Sequence, residues 1–163
     1  MNDVVLAVCR WLENTSWAVT IRESALAYPV MQWIHFVGLS LWLGACLTVD
    51  LRILGGNQNP AVSALAEQLR PWAWIGFGSA VISGFLLFAS QAAAYVATTP
   101  FRVKMLIIVL AVIAALAVEW SVPKWDRARV MPVTAKLLAL ISIVLWLAAL
   151  LAAVEISELT GLG

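Results

Sequence analysis

Four long apolar runs organise the chain. The first reads VMQWIHFVGLSLWLGACLTV from Val30 to Val49, after Tyr28-Pro29 and before Asp50 and Arg52. The second follows Arg70-Pro71 and runs from Trp72 to Tyr95. The third begins near Phe101 and carries an unbroken apolar stretch from Met105 to Val118 before Glu119. The fourth runs from Val133 to Val154, with Lys136 near its start. Each run is about 20 residues long, and a helix of that length crosses roughly 30 Å of hydrocarbon. A membrane barrel would show shorter segments alternating apolar and polar, and these runs do not alternate. The pattern predicts spans over about 29–51, 71–95, 101–122 and 133–156. The expected fold is therefore all-α: an integral membrane four-helix bundle forming a single membrane domain over 1–163.

The segments between the runs carry weaker signals. Residues 3–19 place Val4, Val5, Val8, Trp11 and Leu12 on one helical face, which predicts a short N-terminal interfacial helix lying on the membrane. Asn59-Pro60 reads as an N-cap followed by proline at the first helical position, opening a helix through AVSALAEQLR that Pro71 separates from the second span. Pro123 and Pro132 bracket a short basic loop before the last span.

Composition narrows the class. Apolar residues make up 63% of the chain and charged ones 12%, against about 45–50% and roughly 25% in soluble domains. That balance excludes a disordered chain, a disulfide scaffold and a basic nucleic-acid binder, so the first partner is the lipid bilayer. The net charge of +1 gives no attraction to nucleic acid. Cys9 and Cys46 show no metal-binding spacing. The two loops after spans one and three, with their flanks, carry Arg52, Arg70, Lys124, Arg127, Arg129 and Lys136. The opposite side carries Arg10, Arg22, Arg102 and Lys104. The positive-inside rule then puts those two loops in the cytoplasm and both termini outside.

Helices in lipid associate through close packing, so small residues four apart mark contacts. Gly76, Ala80 and Gly84 form such a stripe on the second span, and Ser40 and Gly44 a shorter one on the first. Trp33, Trp72, Trp74, Trp120 and Trp125 fall where membrane interfaces should lie, while Trp42 and Trp146 lie deeper and are expected to pack in the bundle. The stripes also suit a homo-oligomer or another membrane-protein partner.

Polar groups inside a membrane are costly, which makes each a candidate for function or for pairing. Asp50, Arg52, Arg70, Glu119 and Lys136 lie near helix ends. They are expected to form structural ion pairs, Asp50 with Arg52 or Arg70 and Glu119 with Lys136. A second group gathers towards the outer half: Gln32, Gln91, Tyr95, Lys104 and Glu155, with His35, the single histidine, among them. Met31 shares a helical face with His35, and Met105 comes from another span at similar depth. His35 with Met31 or Met105 is a candidate ligand set for copper or for haem b, because thioethers suit Cu(I) and His–Met pairs hold haem iron. A structural reading competes, in which His35 bonds a backbone carbonyl or a neighbour such as Gln91 or Glu155. No nucleophile elbow, P-loop, dinucleotide fingerprint or zinc-protease motif occurs, so catalysis is not expected.

The segment Tyr28-Pro29…His35…Gly38…Gly44…Asp50-Leu51-Arg52…Leu54-Gly55 resembles the opening of a bacterial family of small, functionally unassigned inner-membrane proteins. The likeness continues through Pro71-Trp72…Gly76, Gly84-Phe85-Leu86-Leu87-Phe88, Pro100-Phe101-Arg102…Lys104 and Ser142…Leu145-Trp146. That family is distantly similar to the membrane domain of copper resistance D-like proteins. The resemblance implies a four-helix bundle in a bacterial inner membrane and a metal or redox connection at His35. Val154-Glu155 departs from it, standing where the family pattern ends its last helix with Gly-Arg. The expected function is a non-catalytic, self-assembling or partner-binding membrane component. The alternative is a copper- or haem-binding protein using His35 for metal handling or membrane electron transfer.

Overall fold

The computed structural model describes residues 3–56, 61–128 and 130–160, the stretch 154–160 as backbone alone. The described residues form seven helices and no strand: α1 (Asp3–Glu13), α2 (Ser16–Glu23), α3 (Ala27–Gly55), α4 (Val62–Ser90), α5 (Ala92–Ala97), α6 (Thr99–Trp125) and α7 (Val133–Thr160). Helices α3, α4 and α6, with Val133–Ala153 of α7, are long and apolar enough to cross a membrane. The molecule is a polytopic membrane protein built as a four-helix bundle.

The N-terminal segment is two helices rather than one. Asn14 and Thr15 turn their side chains back onto the carbonyls of Arg10 and Leu12, at 2.7 Å each, and this competes with helix continuation. Helix α1 packs against α5 and α4 and buries Cys9. Its Glu13 Oε2 accepts from the Ala93 N–H at 2.9 Å, at the start of α5. Arg22 of α2 donates to the Ser90 carbonyl at 3.2 Å, at the end of α4. The break between α4 and α5 falls at Gln91, and these two charged side chains hold its two ends.

Pro71 does not separate a loop helix from the second span, because α4 runs through it without interruption. A proline inside a helix leaves the carbonyl four residues earlier without its bond. Here Glu67 and Pro71 both lie on the exposed side, where that carbonyl can be solvated. The start of α4 is also capped differently from the expected Asn59-Pro60, which lie outside the described residues. Its N-cap is Ala61, which offers no side-chain bond. Asp126, just past the end of α6, accepts from the Val62 N–H at 3.1 Å and from the Ser63 N–H at 2.7 Å. A carboxylate at a helix N-terminus satisfies orphan donors and complements the helix dipole. At its far end α3 stops on Gly56, whose φ of 67° closes the helix through a bond from its N–H to the Ile53 carbonyl.

The spans pack in the order α4, α3, α7, α6, with long contacts along each seam. Helices α4 and α6 close the ring only briefly. The core has two layers. Val49, Ile53, Val62, Val118, Val122, Met131, Ala135 and Ala139 fill the end that carries the α3–α4 and α6–α7 loops, here termed the loop end. Trp42, Leu43, Ala111, Ala115, Trp146 and Ala149 fill the middle.

Candidate functional site

Two polar levels stand out within the bundle, one on each side of the Trp42–Trp146 layer. The first is built around His35 in the seam between α3 and α4. The small residues on α4 let the two backbones approach closely. A Cβ placed on Gly76 would sit 2.7 Å from the Gly38 carbonyl, and one on Gly38 would sit 2.7 Å from the Ala80 backbone nitrogen. One turn further, a Cβ on Gly84 would lie 2.8 Å from His35 Cε1. The stripe Gly76, Ala80, Gly84 thus lies against α3 and makes the room that the imidazole occupies.

His35 Nδ1 lies 2.9 Å from the Ala80 carbonyl and 3.3 Å from Ser83 Oγ. A carbonyl can only accept, so Nδ1 carries the hydrogen, and the ring fastens α3 to α4. Its hydrogen-bond partners among the described residues all belong to α4. Met105, one of the candidate ligands, is 44% exposed on the outside of α6. Among the described residues no group of three His, Cys, Asp or Glu side chains converges as a metal site. With Nδ1 committed to the Ala80 carbonyl, Nε2 is the ring nitrogen left to ligate, and the structure places the exposed Met105 on the outside of α6.

Among the described residues no hydrogen bond links His35 to the other outer-half polar residues, although Lys104 stands near enough to act on the imidazole through its charge. Tyr95 stacks on Phe101 and faces Phe88, with centroids 5.5 and 6.5 Å apart. Its hydroxyl lies beside that of Tyr28, and burial together with that neighbour pushes the phenol above its ordinary range. Gln91 marks the α4–α5 break, while Gln32, Met31 and Lys104 are half-buried on their own helices. The side chain of Glu155 lies outside the described residues.

The second level lies towards the loop end. Here the expected ion pairs are replaced by different ones. Glu119 of α6 pairs with Arg70 of α4, Nε to Oε1, at 2.8 Å, bridging the short α4–α6 contact. Lys136 is drawn to the C-terminal end of α3, its Nζ 3.5 Å from the Cβ position of Gly56, where a cation complements the helix dipole. Among the described residues the ion pairs are Arg70–Glu119 and Arg22–Glu13, so Asp50 pairs with neither Arg52 nor Arg70. The reason is geometric: Asp50 points into the α3–α7 seam and is 1% exposed. Its Oδ2 has no hydrogen-bond partner among the described residues. Ser142 of α7, fully buried, faces it closely enough for its hydroxyl to act on the carboxyl, though short of full hydrogen-bond geometry among the described residues.

Two further buried polar atoms in the same seam lack partners, Trp42 Nε1 and Trp146 Nε1, with ring centroids 6.2 Å apart and edge to face. A cavity of about 50 Å³ adjoins Asp50, with Cys46, Arg70 and Glu119 among its walls. Native interiors rarely leave buried polar groups unpaired, so this run of them on facing helices is the second candidate site in the bundle. Sequence reasoning placed Asp50 at a helix end with a structural partner. Ser142 was the missed signal, a hydroxyl in the apolar middle of the fourth run.

The stripe Ser40–Gly44 faces outward among the described residues. Both residues are exposed, and a Cβ on Gly44 would meet no atom within 4 Å. Comparison with known proteins gives no match of any kind, whether to a family model, a curated protein or a solved structure.

Proposed function

We propose that this chain is a non-catalytic component of a bacterial inner membrane that assembles with a second copy of itself, with both termini on the periplasmic side. One observation carries the assembly. Ser40, Gly44 and Thr48 form an outward stripe of small residues on α3, all exposed. The hydroxyls of Ser40 and Thr48 are already bonded to the Phe36 and Gly44 carbonyls, at 2.8 and 2.6 Å. The stripe therefore presents a smooth groove with no unmet polar demand, which suits a second helix better than flexible lipid chains. The basic excess at the loop end supports the orientation, and the family resemblance supports the membrane. In this reading His35 is a fastener within each copy.

Oxidative crosslinking in native membranes tests it. With Cys9 and Cys46 replaced by Ala, Gly44→Cys should give a covalent dimer. Gly44→Ile should abolish association in detergent while leaving the melting temperature of the monomer unchanged. A protein monomeric at all concentrations, or dimers indifferent to Gly44→Ile, would overturn the reading. A haem Soret band or stoichiometric copper in the purified protein, lost in His35→Ala, would replace it with the cofactor alternative. An impermeant maleimide that labels Arg127→Cys from outside intact cells would overturn the orientation.

A further inference from the structure

Asp50 lies about 8 Å from the loop end of α3, reckoned at ~1.5 Å per residue, with Ser142 on one side and the cavity on the other. An ionised carboxylate buried without a partner is far costlier than the neutral acid. A protonated carboxyl can donate to a lone pair of Ser142 Oγ across the seam, which an ionised one cannot. The ionisable groups near it are Cys46 and Arg52 on α3, Arg70 on α4 and Glu119 on α6. From α7 it meets Ser142, while Lys136 is turned to Gly56. Arg70 is committed to Glu119 at 2.8 Å.

The cavity that reaches Asp50 lies beside the short α4–α6 contact, with the Arg70–Glu119 pair among its walls. Its volume, about 50 Å³, exceeds the roughly 10–15 Å³ that one water needs, and in a largely apolar wall Asp50, Arg70 and Glu119 are the charged groups a water can meet. Away from the loop end, the way is filled by Trp42, Trp146 and Phe77, with Trp42 in ring contact with both others. The exposed charged part of the cavity wall is the Arg70–Glu119 pair, on the loop-end side of the Trp42–Trp146 layer.

We propose that Asp50 is a proton-loading site open to one membrane face. It holds a proton shared towards Ser142 Oγ in the closed bundle. It exchanges that proton with cavity water past the Arg70–Glu119 pair. Loading transfers one proton from a hydronium ion in the cavity to Oδ2 and leaves a water molecule behind; unloading reverses the transfer. One-sided access makes the site a reporter of pH on the loop side of the membrane. This inference does not depend on the assembly proposed above.

Infrared spectroscopy of the full chain in liposomes, titrated in choline buffer, tests the site. The wild type should show a carboxylic acid C=O band at neutral pH that shifts in deuterated water and is missing in Asp50→Asn. Ser142→Ala should move the frequency of that band without removing it. Glu119→Gln, by opening the mouth of the cavity, should speed its hydrogen–deuterium exchange several-fold. The proposal is overturned by a wild type with no such band, by a band that survives Asp50→Asn, or by a frequency unmoved in Ser142→Ala. Should Asp50→Asn not fold, the Ser142→Ala frequency still decides. A band whose titration changes when sodium replaces choline would mark a sodium site and overturn the proton assignment.

Discussion

Helix α3 has two long seams, and they are built on opposite principles. Against α4 it closes through glycine: Gly38, Gly76 and Gly84 bring backbone to backbone or backbone to imidazole, and His35 is bonded across the gap. Against α7 it closes over large rings and leaves Trp42 Nε1, Trp146 Nε1, Asp50 Oδ2 and Ser142 Oγ without partners. The first seam is packed to its limit with its polar atoms matched. The second keeps polar atoms in reserve. In a bilayer, where dispersion contact rather than water expulsion joins helices, the first arrangement suits permanence and the second suits exchange.

The sharpest way to break the contrast is to add one carbon to each kind of surface. Gly76→Ala puts a methyl 2.7 Å from the Gly38 carbonyl, Leu41 Cβ and the Trp42 backbone nitrogen, two of them backbone atoms that cannot step aside. Overpacking of this type costs about 1–3 kcal/mol and here should reach the upper end. Gly44→Ala meets nothing within 4 Å and should leave the monomer unchanged or gain up to about 1 kcal/mol from helix propensity. Thermal unfolding in detergent separates the two. Equal melting temperatures would mean that the glycine seam is not tight.

The four spans were legible in the sequence because a long apolar run is a local property. So was the Gly76–Ala80–Gly84 stripe, since spacing four on one helix needs no knowledge of its neighbours. What lay beyond reach was which helix stands beside which. Runs apolar on every side carry little record of their partners. The Arg70–Glu119 pair joins residues 49 positions apart, and Asp50 read as a helix-end partner of Arg52 or Arg70 because distance to a terminus is visible in a sequence while burial by α7 is not. The cap on α4 shows the same limit from the other side. A local Asn-Pro signal pointed to residues 59 and 60, while the groups that bond Val62 and Ser63 belong to Asp126, 64 and 63 residues on.

That cap sharpens the comparison, because it ties the α3–α4 pair to the α6–α7 pair at the loop end. Asp126→Ala removes both acceptors and should cost about 1–2 kcal/mol, in the upper range for helix caps. Asp126→Asn, which keeps one acceptor oxygen, should recover part of the loss. The measurement is again thermal unfolding, with amide hydrogen exchange over residues 62–65 as the local readout. Exchange there unchanged in Asp126→Ala would show that the cap is not formed in the membrane.

His35 comes next in size. His35→Ala loses one cross-helix hydrogen bond, worth about 0.5–1.5 kcal/mol. The Ala80 carbonyl sits within α4, so the helix itself meets part of its need. The expected outcome is a modest fall in melting temperature with no change in the visible spectrum. Restoring bulk at Gly84 should not rescue it, because a side chain there restores volume and no donor. A full rescue by Gly84→Ala in the His35→Ala background would assign the role of His35 to volume alone.

The smallest effect is expected from the ion pair that closes the α4–α6 gap. Arg70 and Glu119 meet at 2.8 Å, but their side chains are 46% and 25% exposed, so solvent or headgroups screen them. A double-mutant cycle with Arg70→Gln and Glu119→Gln should give a coupling of about 0.2–1 kcal/mol, falling as salt rises. The value bears directly on access to Asp50. A weak pair can part often enough for water to pass, and the tight α3–α4 seam then guides the opening to the α4–α6 side. A coupling of about 3 kcal/mol or more, insensitive to salt, would describe a dry and desolvated pair. The cavity would then be sealed at this end as firmly as Trp42 and Trp146 seal it at the other, and Asp50 would belong with His35 among the fixed parts of the bundle.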